Sequence, residues 1–71
     1  MMRDITWCQT HSGDQISEGD DVFILTPINY HDGYGQVVKL LPDADPVPCV
    51  MVRDIEGRRA IVNAVNISLD R

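Results

Sequence analysis

Basic side chains are scarce in this sequence: six Lys and Arg stand against eleven Asp and Glu, for a net charge of −5. A chain of that sign repels phosphate backbones and anionic lipid, which disfavours non-specific nucleic-acid binding and attachment to membrane surfaces. Long apolar runs are missing as well. No stretch approaches the roughly 18 residues that a spanning helix needs, so a soluble protein is expected. The opening MMRDITWCQTHSGD has neither the apolar region of a secretory signal nor the Arg-rich, acid-poor character of a transit peptide, and the expected location is the cytoplasm. Cysteine is limited to Cys8 and Cys49. In a reducing compartment these are expected as free thiols, although the pair could form a single bridge. Internal repeats and low-complexity tracts are absent, so the chain reads as one unit.

At 71 residues the chain is small. A domain of this size buries only about 60 % of the surface its unfolded form exposes. Its core rarely supplies more than about 3 to 5 kcal/mol, which makes a homo-oligomer a standing expectation.

What is present is β-strand material. Asp21 to Ile28 carries the run Val-Phe-Ile-Leu-Thr, β-branched, aromatic and apolar, with Pro27 near its end where a missing N–H does least harm. Gly33 and Gly35 permit a reversal, and Gln36 to Leu41 makes a second strand that the Pro42 to Pro46 segment ends. Val47 to Arg53 alternates, with Val50 and Val52 on one face and Cys49, Met51 and Arg53 on the other. Ile55-Glu56-Gly57-Arg58 signals a tight turn into Arg59 to Val62, antiparallel to the strand before it. Asn63 to Asn66 is too short for an α-helix and suits one 3₁₀ turn, which leaves Ile67 to Leu69 as a last strand. The spacing Gly35-x-Val37-x-x-Leu40 breaks strict alternation, because Lys39 falls where an inward residue belongs. A bulge would turn Leu40 inward and Lys39 outward and help a small sheet to bend.

This order of elements predicts an all-β, SH3-like small barrel of five strands over residues 19–71, preceded by a short N-terminal arm over residues 1–18. The pattern Gly19-x-x-Val22-x-Ile24-Leu25-x-Pro27-x-x-Tyr30, then Gly35-x-Val37, Val50-x-Val52-Arg53 and Asn66-Ile67-Ser68-Leu69-Asp70 resembles photosystem I reaction-centre subunit IV. That resemblance implies an SH3-like barrel and a role in docking a protein. Where that family carries basic residues beside the first-strand valine, this chain has Asp20, Asp21 and Phe23, which would repel an acidic partner such as ferredoxin. The same segments are similar to the KOW module, which implies RNA binding through Lys39, Arg53, Arg58 and Arg59. A third resemblance is to the plasmid-borne, trimethoprim-resistant dihydrofolate reductase, a tetramer that binds a nicotinamide cofactor in its central pore. Where that family lines the pore with Val-Gln-Ile-Tyr, this chain reads Ala60-Ile61-Val62-Asn63, so the catalytic site does not carry over.

As for chemistry, His31 and Asp32 are adjacent and cannot act as base and orienter, and no Ser or Cys stands in a strand-to-helix elbow. A non-catalytic chain with no cofactor is expected. No metal is expected either, the alternative being a tetrahedral set of Cys8, His11, His31 and Cys49 that starts from the Cys8-x-x-His11 spacing. Arg53, Arg58 and Arg59 read as a solvated hairpin tip partnered by Asp54 and Glu56, or as an anion site. In an SH3-like barrel the loop after the first strand, the Pro-rich loop and the 3₁₀ turn meet at one edge. The candidate binding residues on those segments are Tyr30, His31, Asp32, Tyr34, Pro46 and Asn66. With Asp43 and Asp45 beside them, the expected ligand is a positively charged protein partner.

Overall fold

The computed structural model describes residues 8–70; the remainder of the expected arm, residues 1–7, and Arg71 lie outside the described residues. The chain forms β1 (Cys8–Gln9), β2 (Gln15–Ile16), β3 (Asp21–Ile24), β4 (Tyr34–Leu41), β5 (Cys49–Arg53), β6 (Arg59–Asn63), a 3₁₀ turn (Ala64–Asn66) and β7 (Ile67–Leu69). Among the described residues that single turn is the only helical segment, so the domain is all-β. Among the described residues no helix is long and apolar enough to cross a membrane. β3 to β7 form one antiparallel sheet in the order β6-β5-β4-β3-β7, and β1 and β2 form a separate small hairpin. The five-stranded sheet ends at β6 and at β7 and is not closed by strand pairing into a barrel.

Alternation decides which side chains face inward. In β3, Val22 and Ile24 are buried while Asp21 and Phe23 face out. In β5, Val50 and Val52 are buried while Arg53 is exposed. The register of β4 on β5 runs Gln36 to Arg53 and Val37 to Val52, then slips so that Lys39 faces Met51 and Leu40 faces Val50. Val38 is the extra residue of the expected bulge, and beyond it Lys39 is exposed and Leu40 half-buried against the core. The first strand is shorter than its composition suggests. It stops at Ile24, beyond which the Leu25 N–H adds one further bond on the β7 side, to the Asn66 carbonyl at 2.8 Å.

The core consists of Cys8, Ile16, Val22, Ile24, Val37, Val50, Val52, Ala60, Val62, Ala64 and Ile67. Cys8 and Ile16 bring the β1–β2 hairpin into it. The hairpin turn is held by the buried Thr10, whose Oγ1 accepts from the N–H groups of Ser12 and Asp14 at 3.2 and 3.0 Å. Every core side chain is aliphatic or a thiol. The three described aromatic rings lie outside it: Phe23, Tyr30 and Tyr34 are 43 %, 56 % and 42 % exposed.

One glycine is required by close approach. At Gly35 the backbone of β4 passes so near β5 that a Cβ would collide with the carbonyl oxygen of Arg53 and stand 2.8 Å from its carbonyl carbon. The obstacle is backbone, which cannot rotate away. Gly35→Ala is therefore expected to destabilise the fold by about 1 to 3 kcal/mol, measured as a lower urea midpoint with an unchanged slope.

Candidate functional site

Two neighbouring assemblies occupy the end of the sheet where β3 runs into the long loop. The first is a polar junction built around Asp54, whose side chain is fully shielded from solvent. Its Oδ1 accepts from the N–H groups of Glu56 (3.0 Å) and Arg58 (2.8 Å), and its Oδ2 from the Asp32 N–H (3.2 Å) and Arg58 Nε (2.9 Å). Arg58 also bonds Asp32 Oδ1 through its NH2 group at 3.0 Å. Burial pushes the Asp54 carboxyl up, but the N–H donors of Arg58 and Asp32 and the Arg58 charge outweigh it. The net result is a pKa below the ordinary aspartate range. His31 is buried alongside: its Nδ1 accepts from the Gly33 N–H at 3.0 Å, which leaves Nε2 to donate to the Val52 carbonyl at 3.1 Å.

The second assembly is an exposed face. Phe23 and Tyr34 stand opposite each other on β3 and β4. The bonds Ile24 N–H to Gly33 O and Val37 N–H to Asp20 O mark the hydrogen-bonded pairs on either side, which places Phe23 and Tyr34 at a non-hydrogen-bonded pair, where side chains come closest. Their ring centroids are 4.9 Å apart with planes inclined by 46°. Tyr34 donates its hydroxyl proton to Asp70 Oδ2 at 3.0 Å. That bond, partial burial and the negative charges of Asp70 and Asp21 together raise the phenol above its ordinary pKa. Beside Tyr34 lies an open groove of about 310 Å³, floored by Gly35 and bordered by Asp21, Gln36, Arg53, Asp54 and Ile55. A second groove of about 290 Å³ shares Asp21 and is lined by Asp20, Asp70, Gln15, Ser17 and Leu69. An apolar platform thus adjoins an acidic trough.

The residues singled out in the sequence divide among different places. Tyr34 lies on the aromatic face and Tyr30 is exposed in the loop before it. His31 and Asp32 belong to the junction with β5 and β6, spending their hydrogen bonds inside the protein. Asn66 anchors the start of the loop, its carbonyl accepting from Leu25 N–H and its Oδ1 from Thr26 N–H at 3.0 Å. Pro46 is exposed in the loop between β4 and β5. Arg58 is committed to Asp32 and Asp54, while Arg53 and Arg59 remain on the surface. Cys8 and Cys49 are free thiols. Burial pushes the Cys8 thiol up, and its Sγ lies 3.5 Å from the Cys49 carbonyl oxygen. Cys49 Sγ lies 3.4 Å from the Val47 carbonyl oxygen. Among the described residues no three His, Cys, Asp or Glu side chains are grouped to hold a metal ion. Phe23, Ile55, Asp21 and Asp70 complete the face without having been among the candidate binding residues. The signal for Phe23 was available, since it alternates with the inward Val22 and Ile24.

The depressed Asp54 pKa fixes a pH dependence. Its contribution to stability is complete above the ordinary aspartate pKa and is lost as pH falls through the lower folded value. Urea titrations should therefore show wild type more stable than Asp54→Asn at neutral pH, the gap closing only below the ordinary aspartate range. For Tyr34, Asp70→Asn should bring its ionisation, followed by tyrosinate absorbance, back down towards that of a free tyrosine.

No family model, curated protein or solved structure matches the chain, so the resemblances in its sequence pattern gain no support from that side.

Proposed function

We propose that this chain is a non-catalytic protein-interaction module with an SH3-like arrangement of strands, and that it binds a positively charged partner through the Phe23–Tyr34 face. The strand order β6-β5-β4-β3-β7, the bulged β4 and the 3₁₀ turn between β6 and β7 support the SH3-like reading. The binding role rests on one observation above all. The described aromatic rings contribute nothing to a core that a marginal domain needs, and two of them are paired on an exposed face beside a groove. Aromatic side chains bury large areas at low entropic cost, which is why they anchor interfaces.

The chemistry around the rings selects the partner. An apolar side chain of the partner fills the groove between Tyr34 and Ile55, and an Arg or Lys beside it reaches Asp20, Asp21 and Asp70. The overall charge of −5 speeds the approach of such a partner. A non-catalytic reading is supported by the reactive groups themselves: both ring nitrogens of His31 are engaged internally, and the Cys8 thiol is buried with a raised pKa.

Affinity capture from the native host with the intact chain tests this. Tyr34→Ala is expected to leave circular dichroism unchanged and to weaken capture by about 1 to 2 kcal/mol, as interface aromatics do. Asp21→Lys should weaken it too, and rising salt should reduce the wild-type interaction to a residual apolar component. Partner binding that survives Tyr34→Ala and Phe23→Ala but is lost in the exposed-residue variant Arg59→Ala would place the working face on the β5–β6 hairpin and overturn the proposal.

A further inference from the structure

The two ends of the five-stranded sheet are not equivalent. β7 has only three residues, and its Ile67 carbonyl already accepts from the His11 N–H at 3.4 Å, so the β1–β2 hairpin covers part of that edge. β6 has five residues in unbroken register with β5, and among the described residues it pairs with no other strand. The direction of its backbone follows from the bonds that flank it. Asp54 N–H donates to Arg58 O at 2.8 Å and Ala64 N–H to Pro48 O at 2.9 Å, so the hydrogen-bonded pairs between are Val52 with Ala60 and Val50 with Val62. The N–H and C=O groups of Arg59, Ile61 and Asn63 therefore point away from β5, along an open edge. Proteins blunt such edges with proline, bulges or inward-pointing charge. Among the described residues β6 has none of these; its single charge, Arg59, stands at the end of the strand, and at its centre Ile61 is 59 % exposed.

From this edge we infer that the chain forms a symmetric dimer by antiparallel pairing of β6 with β6 of a second copy, about a twofold axis at Ile61. Of the twofold registers, this one pairs the whole strand, and three features make it self-complementary. It places Ile61 opposite Ile61 of the partner subunit as a hydrogen-bonded pair, with both outward N–H and C=O groups satisfied. Arg59 falls opposite Asn63 of the partner subunit, whose amide oxygen can accept from the guanidinium, so no like charges meet across the axis. Because Met51 stands beside Ile61 on the same outer face, the new sheet carries an apolar stripe of Met51 and Ile61 from each copy, with Arg59 and Asn63 at its rim. The paired strand is short, so the dimer is reversible and concentration-dependent. This surface is distinct from the Phe23–Tyr34 face and does not depend on the function proposed for it. The two also differ in their response to salt: β6 pairing joins two chains of net charge −5, so screening strengthens it, whereas capture of a basic partner weakens.

Sedimentation equilibrium of the full chain across a wide concentration range is the test. Wild type should fit a monomer–dimer equilibrium that tightens with salt. Ile61→Lys, which changes an exposed residue and brings two like charges together on the axis, should keep its circular dichroism and raise the dissociation constant about 10-fold or more. Ile61→Glu should do the same alone, while an equimolar mixture of the Lys and Glu variants should recover a dimer containing one of each. Wild type that stays monomeric at the highest concentration, or an Ile61→Lys variant that dimerises as well as wild type, would overturn the proposal.

Discussion

Asp54 is the residue on which the arrangement of loops depends. Its carboxylate is buried and acts as a local receptor for backbone N–H groups that would otherwise have no partner. Two of those groups belong to the turn between β5 and β6, and the third belongs to Asp32 in the long loop. One side chain thus closes a hairpin and holds a loop distant in sequence, and Arg58 neutralises it while reaching Asp32. A buried charge is tolerated only when it is paired and hydrogen-bonded, and here every condition is met within a few residues. His31 secures the same loop one position earlier through the Val52 carbonyl. The loop that interrupts the first long β-segment is therefore fastened to the sheet, and Tyr34 emerges from it in a defined place.

The core places a second constraint on the molecule. Val, Ile, Ala and Cys side chains pack the space between closely spaced strands, and Gly35 lets β4 approach β5 more nearly than any side chain would allow. No described Phe or Tyr ring belongs to it. Phe23 and Tyr34 sit on the outer face, covering each other at a close cross-strand pair, with the acidic residues of β3 and the chain segment after β7 beside them. The property that keeps the core small is the one that supplies the surface with apolar material, in a domain whose size makes the loss of any buried ring costly. The outer faces of β3 and β4 and the outer edge of β6 lie on different parts of the sheet.

Much of the local structure was legible in the residues. Val50 and Val52 alternate with Cys49, Met51 and Arg53 as a strand with one buried face must, the Gly57 turn leads back antiparallel, and the misplaced Lys39 marks the bulge at Val38. These features depend on neighbours two to four positions apart, which is the range over which side-chain period and turn chemistry act. The candidate site was legible only in part. Tyr34 was visible as an aromatic beside a turn, but His31 and Asp32 carry the same polar signature whether they face a ligand or the protein interior. Their bonds to Val52, Asp54 and Arg58 span 21 to 26 positions of the chain.

The sequence by itself determined that the chain is all-β, roughly where the five strands of the main sheet lie and that β5 and β6 form a hairpin, but not the β1–β2 hairpin inside the expected arm. Tertiary structure alone decided that Phe23 rather than Tyr30 pairs with Tyr34, that Asp54 rather than a ligand engages the Asp32 backbone, and that β6, among the described residues, has no strand on its outer side. The physical reason is the same in each case. Period and turn residues fix which way a side chain or carbonyl points from its own strand, whereas what it meets there depends on which strand becomes its neighbour, and that is settled only when the sheet assembles.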